Sequence, residues 1–148
     1  MPQRRSVTER GTSLVETALI LPVCLILFLG IIEVGFLLFA HVQVANAARE
    51  GARYGSLCRL HANCNTLTDV VKANVFAEAQ FLNMTDAGSG GNTMVVVQPA
   101  SLASIPSIGD PITVTVTYNH SPPFVSGFVP MFPDPIPVEH TLVLHFDK

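Results

Sequence analysis

Charge is scarce in this chain. Of its 148 residues only 13% are charged, which is low for a free soluble protein. Residues 41–148 carry five basic and eight acidic side chains, a net charge of −3, so we predict no nucleic-acid partner. The length leaves room for one small domain and one membrane segment.

The sequence also lacks the residue patterns of catalysis. Its five histidines are scattered, and it has no phosphate-binding glycine loop, no cofactor motif and no paired acidic site outside the membrane segment and the loops. We therefore predict a protein that is not an enzyme and that has no cofactor and no metal site. A membrane-anchored enzyme remains the alternative, because catalytic residues can meet in space from distant parts of a chain.

A single long apolar run fills residues 14–40. Its uncharged part, from Thr17 to Ile32, has 16 residues. A membrane-spanning helix needs roughly 20, so the span must take in Glu16 or Glu33, or the bilayer must become thinner around it. An ionisable group at that depth is a candidate functional residue. Alternatively, Glu33 lies at the far interface and its carboxylate reaches water.

A basic leader, residues 1–11 with a net charge of +2, precedes the apolar run. Positive residues favour the cytoplasmic side, so we expect a single-pass inner-membrane protein with a cytoplasmic N-terminus and an exported C-terminal region. Two alternatives exist. One is a signal peptide cut after Ala47, for which the run is about twice the usual length. The other is a lipoprotein signal ending at Cys24, although Val23 before it is large for such a site.

The junction between leader and apolar run reads Gly11-Thr-Ser-Leu-Val-Glu16. A secretory signal is cleaved after its apolar segment, whereas a cut between Gly11 and Thr12 would remove only the leader and keep the helix. That cut would leave a charged amine on Thr12. We predict that this amine pairs with Glu16 of another subunit, which would neutralise both groups in apolar surroundings. Alternatively, Glu16 only marks the membrane boundary.

Beyond the membrane the helix is expected to continue to about Tyr54. Ala47, Gly51 and Gly55 form a row of small residues at four-residue spacing, a pattern that lets another helix approach closely. Glycine inside a helix costs about 1 kcal/mol relative to alanine, so this spacing predicts a close-packed face. Gly55 can also mark the end of the helix.

Three sequence blocks, Arg10–Pro22, Gly30–Glu33 and Asn46–Gly55, occur in this order. Together they resemble the TadE-like family, pseudopilins of the tight-adherence (Tad or Flp) pilus systems. Major pilins of these systems are much shorter and carry Glu-Tyr where this chain has Glu16-Thr17. The resemblance therefore implies a minor pilin or pseudopilin rather than the major subunit.

The resemblance also implies how the chain is processed and what it meets. A prepilin peptidase would cleave between Gly11 and Thr12. The implied partners are other pilins through the N-terminal helix, the peptidase, the Tad inner-membrane assembly platform and membrane lipid. The alternative function is a permanently anchored envelope scaffold that does not enter a filament.

Two cysteines, Cys58 and Cys64, open the exported region. In an oxidising compartment this spacing predicts a disulfide bond. Free thiols remain an alternative, as does a metal site that includes His61, which lacks an obvious fourth ligand. We expect Cys24, inside the apolar run, to pack as a small apolar residue without a chemical role.

The exported region is predicted to contain a helix over residues 67–82. We predict that its apolar stripe consists of one set of positions, widened by Val71 and Val75. That set is Val70, Ala73, Ala77 and Phe81. The expected role of the stripe is to pack the helix on a sheet.

Three strands are predicted, at Met94–Gln98, Ile112–Tyr118 and Val138–Phe146, from apolar, β-branched and alternating residues. Antiparallel pairing is expected, because no helical crossover separates the last two. The predicted architecture is α+β. It comprises a leader (1–11), a transmembrane and extended helix (12–56) and an exported head (57–148).

A proline-rich connection, residues 121–137, joins the last two strands and contains six prolines. One interpretation is an apolar docking loop for another pilin, a secretion pore or the membrane surface. The other is a loop that folds back over the sheet. The candidate docking residues are Phe124, Phe128, Met131 and Phe132.

Overall fold

A computed structural model describes residues 7–58, 66–99, 108–124 and 135–146. The predicted α+β architecture is confirmed: a long helix is followed by a second helix and a three-stranded antiparallel sheet. The elements are α1 (Val7–Leu57), α2 (Leu67–Glu78), β1 (Thr93–Gln98), β2 (Pro111–His120) and β3 (Ile136–His145), with short 3-10 turns at Gln80–Leu82 and Ala87–Ser89.

Helix α1 has 51 residues and at 1.5 Å per residue is about 77 Å long. It continues through Pro22, although proline lacks the N–H group that would bond to the preceding turn. The loss of one helical hydrogen bond is therefore tolerated inside the apolar run. The helix ends three residues beyond the predicted Tyr54.

The sheet has the order β1-β2-β3, and both pairs are antiparallel. Ile112, Val114, Val116 and Tyr118 of β2 are buried, as their alternation predicted. On the opposite, outward face the hydroxyl groups of Thr115 and Thr141 lie 2.9 Å apart. The alternation of side chains along each strand thus separates one core face from one polar face.

One hydrophobic core joins both helices to the sheet. Helix α1 contacts β2 and β3, while α2 contacts α1 and β1. The sheet is therefore covered by two helices, and the C-terminal part of α1 is one of them. The residues of α1 in this core are Ala40, Val44, Ala47, Ala48 and Ala52.

The predicted apolar stripe of α2 is wrong in its phase, although Val71 and Val75, which were expected to widen it, are fully buried, and Val70 is partly buried. Ala73, Ala77 and Phe81 are exposed, Phe81 to 84%. The helix ends at Glu78, so Phe81 lies in the following 3-10 turn and does not share its face. The buried positions follow a four-residue spacing along the side that meets α1. They are Leu67, Val71, Val75 and Ala79.

Candidate functional site

The N-terminal part of α1, residues 11–39, projects away from the core, and we call it the exposed apolar segment. Most of its large apolar side chains, from Leu14 to Phe39, are 43–72% exposed. The first fully buried residue of the helix is Ala40. The helix is long and apolar enough to cross a membrane once. An apolar surface of this size would be unfavourable in water, so the helix indicates single-pass membrane anchoring.

The predicted cleavage site lies at the start of this segment. Gly11 and Thr12 are helical, and their residues are exposed. Among the described residues, nothing outside the chain neighbours and the backbone of the helix lies within 4 Å of the position that a Cβ of Gly11 would take. Glu16 is exposed one turn later, followed by Thr17, whose hydroxyl donates to the Ser13 carbonyl at 2.8 Å. The site is therefore accessible on the surface of the molecule.

Glu33 lies at the other end of the exposed apolar segment and contacts the head. Its Oε2 accepts a hydrogen bond of 3.3 Å from the backbone N–H of Phe124. Its Oε1 is buried and has no hydrogen-bond partner among the described residues. The rings of Phe124 and Phe36 lie beside each other, with centroids 6.4 Å apart. The second carboxylate of the exposed apolar segment is therefore shielded by the loop that follows β2.

A cavity of about 180 Å³ separates this part of α1 from the head. Gly30, Glu33, Val34 and Leu37 line its helix side, and His120, Pro122 and Ile136 line its head side. His120 is 91% buried, and its Nε2 has no hydrogen-bond partner among the described residues. The cavity is otherwise apolar, so the two polar groups facing it are surrounded by hydrocarbon.

The row of small residues lies where two elements of the same chain approach α1. A Cβ on Gly51 would lie 2.6 Å from Cγ2 of Val75, and one on Gly55 would lie 2.6 Å from Cδ1 of Ile112. Ala47 is fully buried. The helix that approaches this row is therefore α2, and this face of α1 is occupied within the monomer.

The cysteines and the proline-rich connection are only partly described. Cys58 is disulfide-bonded, while Cys64, its predicted partner, lies outside the described residues. Cys24 is a free, exposed thiol in the exposed apolar segment. Of the candidate docking loop, Phe124 is described and 42% exposed. The other three candidates, Phe128, Met131 and Phe132, lie outside the described residues.

Two titratable groups of the head have shifted pKa values. Lys72 donates a 2.9 Å hydrogen bond to Asp86, and this bond, with the N–H of Gly88, lowers the pKa of the Asp86 carboxyl group. Burial raises the pKa of the Tyr118 hydroxyl group. Within the described ranges no group of three or more His, Cys, Asp or Glu side chains could hold a metal ion.

The contact between Glu33 and Phe124 was not predicted, and the sequence holds little signal for it. The two residues are 91 positions apart, so no helical or strand periodicity relates them. The sequence did single out each residue separately, Glu33 as a second membrane carboxylate and Phe124 as a docking residue. Only the fold shows that they form one site.

A family model described as TadE-like protein matches residues 11–53. No curated protein and no solved structure matches the chain. The matched residues contain the exposed apolar segment, both of its carboxylates and most of the row of small residues. Over its long helix this chain is therefore similar to TadE-like proteins, and the resemblance that the sequence predicted is confirmed there.

Proposed function

We propose that this protein is a minor pilin or pseudopilin of a Tad-type pilus or a related secretion machine. A prepilin peptidase removes residues 1–11, and the remaining helix packs with other pilins while the head stays outside the inner membrane. The observation that supports this proposal is the exposed apolar segment, in a helix that matches the TadE-like family. The protein acts by assembly and not by catalysis.

The surface of α1 that is available to other pilins is the part that the same chain leaves uncovered. The face with Gly51 and Gly55 is filled by α2 and β2 of the same chain. Residues 11–39, in contrast, bury almost none of their apolar side chains. This segment is also the part of the chain that a membrane would hold before assembly. Lateral contacts with other pilins therefore use the exposed apolar segment.

Processing is tested by the N-terminal residue of the mature protein. Intact mass is measured on protein from membranes with and without the prepilin peptidase. We expect a start at Thr12 that depends on the peptidase. Gly11→Val should keep the leader, because a branched side chain would crowd the scissile bond. Gly30→Val is the matched control, since Gly30 also has no neighbour within 4 Å, and it should be cleaved normally.

Other N-termini would support other functions. If the leader is retained in the presence of the peptidase, the protein is a permanently anchored envelope scaffold. A mature protein that starts near Ala48 would mean that the apolar run is a signal peptide, and the filament proposal would be abandoned.

Glu16 is tested separately from processing. In the proposed filament its carboxylate pairs with the Thr12 amine of a neighbouring subunit, and removing one half of a buried pair costs about 3–5 kcal/mol. Glu16→Ala should therefore be cleaved but poorly incorporated, as measured by crosslinking to other pilins. Glu16→Gln is the isosteric control for the charge. Wild-type incorporation of Glu16→Ala would show that no such pair forms.

A further inference from the structure

The tip of the head, which we define as residues 120–124 with Ile136, lies beside the apolar helix instead of above it. His120, Pro122 and Ile136 face α1 across the cavity that runs from Gly30 to Leu37. The eight residues from Gly30 to Leu37 span about 10 Å of helix. The tip therefore reaches well below Ala40, the residue at which the helix enters the core.

The composition of α1 indicates that this contact lies within the hydrocarbon core of the bilayer. The uncharged stretch of 16 residues is about 24 Å long, whereas the hydrocarbon core of a bilayer is about 30 Å thick. Roughly four more residues must come from one of the two flanks. The N-terminal flank holds Thr12, Ser13 and Glu16, but the residues from Val34 to Phe39 are apolar. The hydrocarbon core is therefore expected to extend past Glu33 to about Phe36.

The residues of the tip are suited to the hydrocarbon core, because they bring no formal charge and few unsatisfied hydrogen-bond donors. Within residues 119–124 and 135–138 no side chain is formally charged. Pro122 and Pro123 have no N–H groups, so two consecutive residues bring no donor that hydrocarbon would leave unsatisfied. The next N–H, that of Phe124, donates to Glu33. The phenyl ring of Phe124 continues the apolar surface that Phe36 begins.

Glu33 gains one hydrogen-bond donor from the same arrangement. A carboxylate inside a bilayer is costly unless it is paired or reaches water. Here one oxygen accepts the Phe124 N–H and the other is shielded beside Pro122 and His120. We propose that the tip inserts into the head-side leaflet as a second membrane contact, next to the helix, and that Glu33 holds it there. The occupant of the surrounding surface is lipid.

Tryptophan fluorescence tests this insertion, because the chain contains no Trp and each single substitution adds a unique probe. The full chain is reconstituted in phosphatidylcholine vesicles, with and without bromine on the acyl chains. Phe28→Trp is the control inside the hydrocarbon. Tyr54→Trp is the control in water, since it lies 18 residues beyond Phe36 on the same helix, about 27 Å further along its axis.

We expect Phe124→Trp to be quenched by brominated lipid to the extent of Phe28→Trp, while Tyr54→Trp keeps its emission. Quenching of Phe124→Trp no greater than that of Tyr54→Trp would overturn the proposal. If its emission were blue-shifted but not quenched by bromine, a protein surface would cover the tip and lipid would be the wrong occupant.

The role of Glu33 is tested in the Phe124→Trp background. Glu33→Gln keeps an oxygen that accepts the Phe124 N–H, whereas Glu33→Ala removes it. We expect quenching to persist in Glu33→Gln and to decrease in Glu33→Ala, with the thermal melt of the head unchanged in both. Equal quenching in the two variants would show that Glu33 does not hold the tip. Neither result depends on cleavage at Gly11 or on filament assembly, so this proposal can fail while the proposed function stands.

Discussion

The two halves of α1 share one secondary structure but have opposite surroundings. In the first half, residues 11–39, nearly every large apolar side chain is exposed. In the second half, from Ala40 to Leu57, one face is buried against α2 and the sheet. The first half consists largely of bulky apolar residues, while the second mixes alanine and glycine with polar side chains. Bulk on all sides suits a lipid environment, whereas small residues on one side suit protein packing.

Glycine shows the difference most clearly. A Cβ added at Gly30 or Gly35 would meet no atom within 4 Å, but one at Gly51 or Gly55 would meet a side chain at 2.6 Å. The same residue type therefore has no packing role in one half of the helix and a necessary one in the other. Substitutions matched between the halves should separate anchoring from folding.

The largest difference is expected for matched isoleucines. Ile112 of β2, which packs against Gly55 in the second half of α1, is fully buried, whereas Ile26 in the first half is 69% exposed. Ile112→Ala should destabilise the head by about 2–5 kcal/mol, because it removes buried methyl groups and leaves a cavity. Ile26→Ala should leave the free energy of unfolding of the head unchanged. Urea or thermal unfolding of the full chain in detergent, followed by circular dichroism, measures both.

Equal destabilisation by the two alanine variants would contradict the comparison. It would mean that the exposed apolar segment contributes to the folding of the head, and that the boundary at Ala40 has no energetic meaning.

A smaller effect is expected for matched glycines. Gly51→Val should destabilise the head by about 1–3 kcal/mol through overpacking, because its Cβ would meet the branched side chains of Val71 and Val75. Gly35→Val introduces the same helix propensity change in an open position. The difference in melting temperature between the two variants therefore measures the cost of overpacking against α2 alone. A melt of Gly51→Val that matches Gly35→Val would show that α2 can move away at little cost.

The sequence predicted what depends on local periodicity. Alternation along Ile112–Tyr118 identified the buried face of β2, and the small-residue spacing identified a close-packed face of α1. It did not identify the element that fills that face. For α2, several apolar residues offered more than one face, and the choice was made by contact with Gly51 and Gly55. That contact involves residues distant in sequence, so helix periodicity alone could not decide it.

The candidate site also has one part that local sequence predicts and another that only the whole fold shows. Gly11, Glu16 and Glu33 were predicted as site residues from their positions around the apolar run, which is local information. That Glu33 meets Phe124 depends on where β2 ends relative to α1, and this requires the whole fold. The sequence also did not predict that α1 itself covers β2 and β3, because an apolar helix continuing from a membrane gives no sign of its partner.

The smallest effect on stability is expected for the replacement of a carboxylate at the surface of the head. Asp86 pairs with Lys72 at the surface of the head, and ion pairs at such positions contribute little to stability. Asp86→Asn should lower the melting temperature slightly at pH 7. Because the pair lowers the pKa of Asp86 below its ordinary value of 3.8, its contribution is present above that pH and is lost as the pH falls through the folded-state pKa. The difference from wild type should therefore disappear in acid.

The control for this titration is Glu78→Gln, which changes an exposed carboxylate of α2 that has no ion pair among the described residues. Its melting temperature should follow the wild type at both pH values. A difference between wild type and Asp86→Asn that persisted below the folded-state pKa would show that the stabilisation does not come from the charge of Asp86, because the amide oxygen of the variant can still accept the N–H of Gly88. If the difference disappears in acid, the carboxylates follow the same division as the two halves of α1: Asp86 is easily replaced in water, whereas Glu33 depends on the head to be tolerated beside lipid.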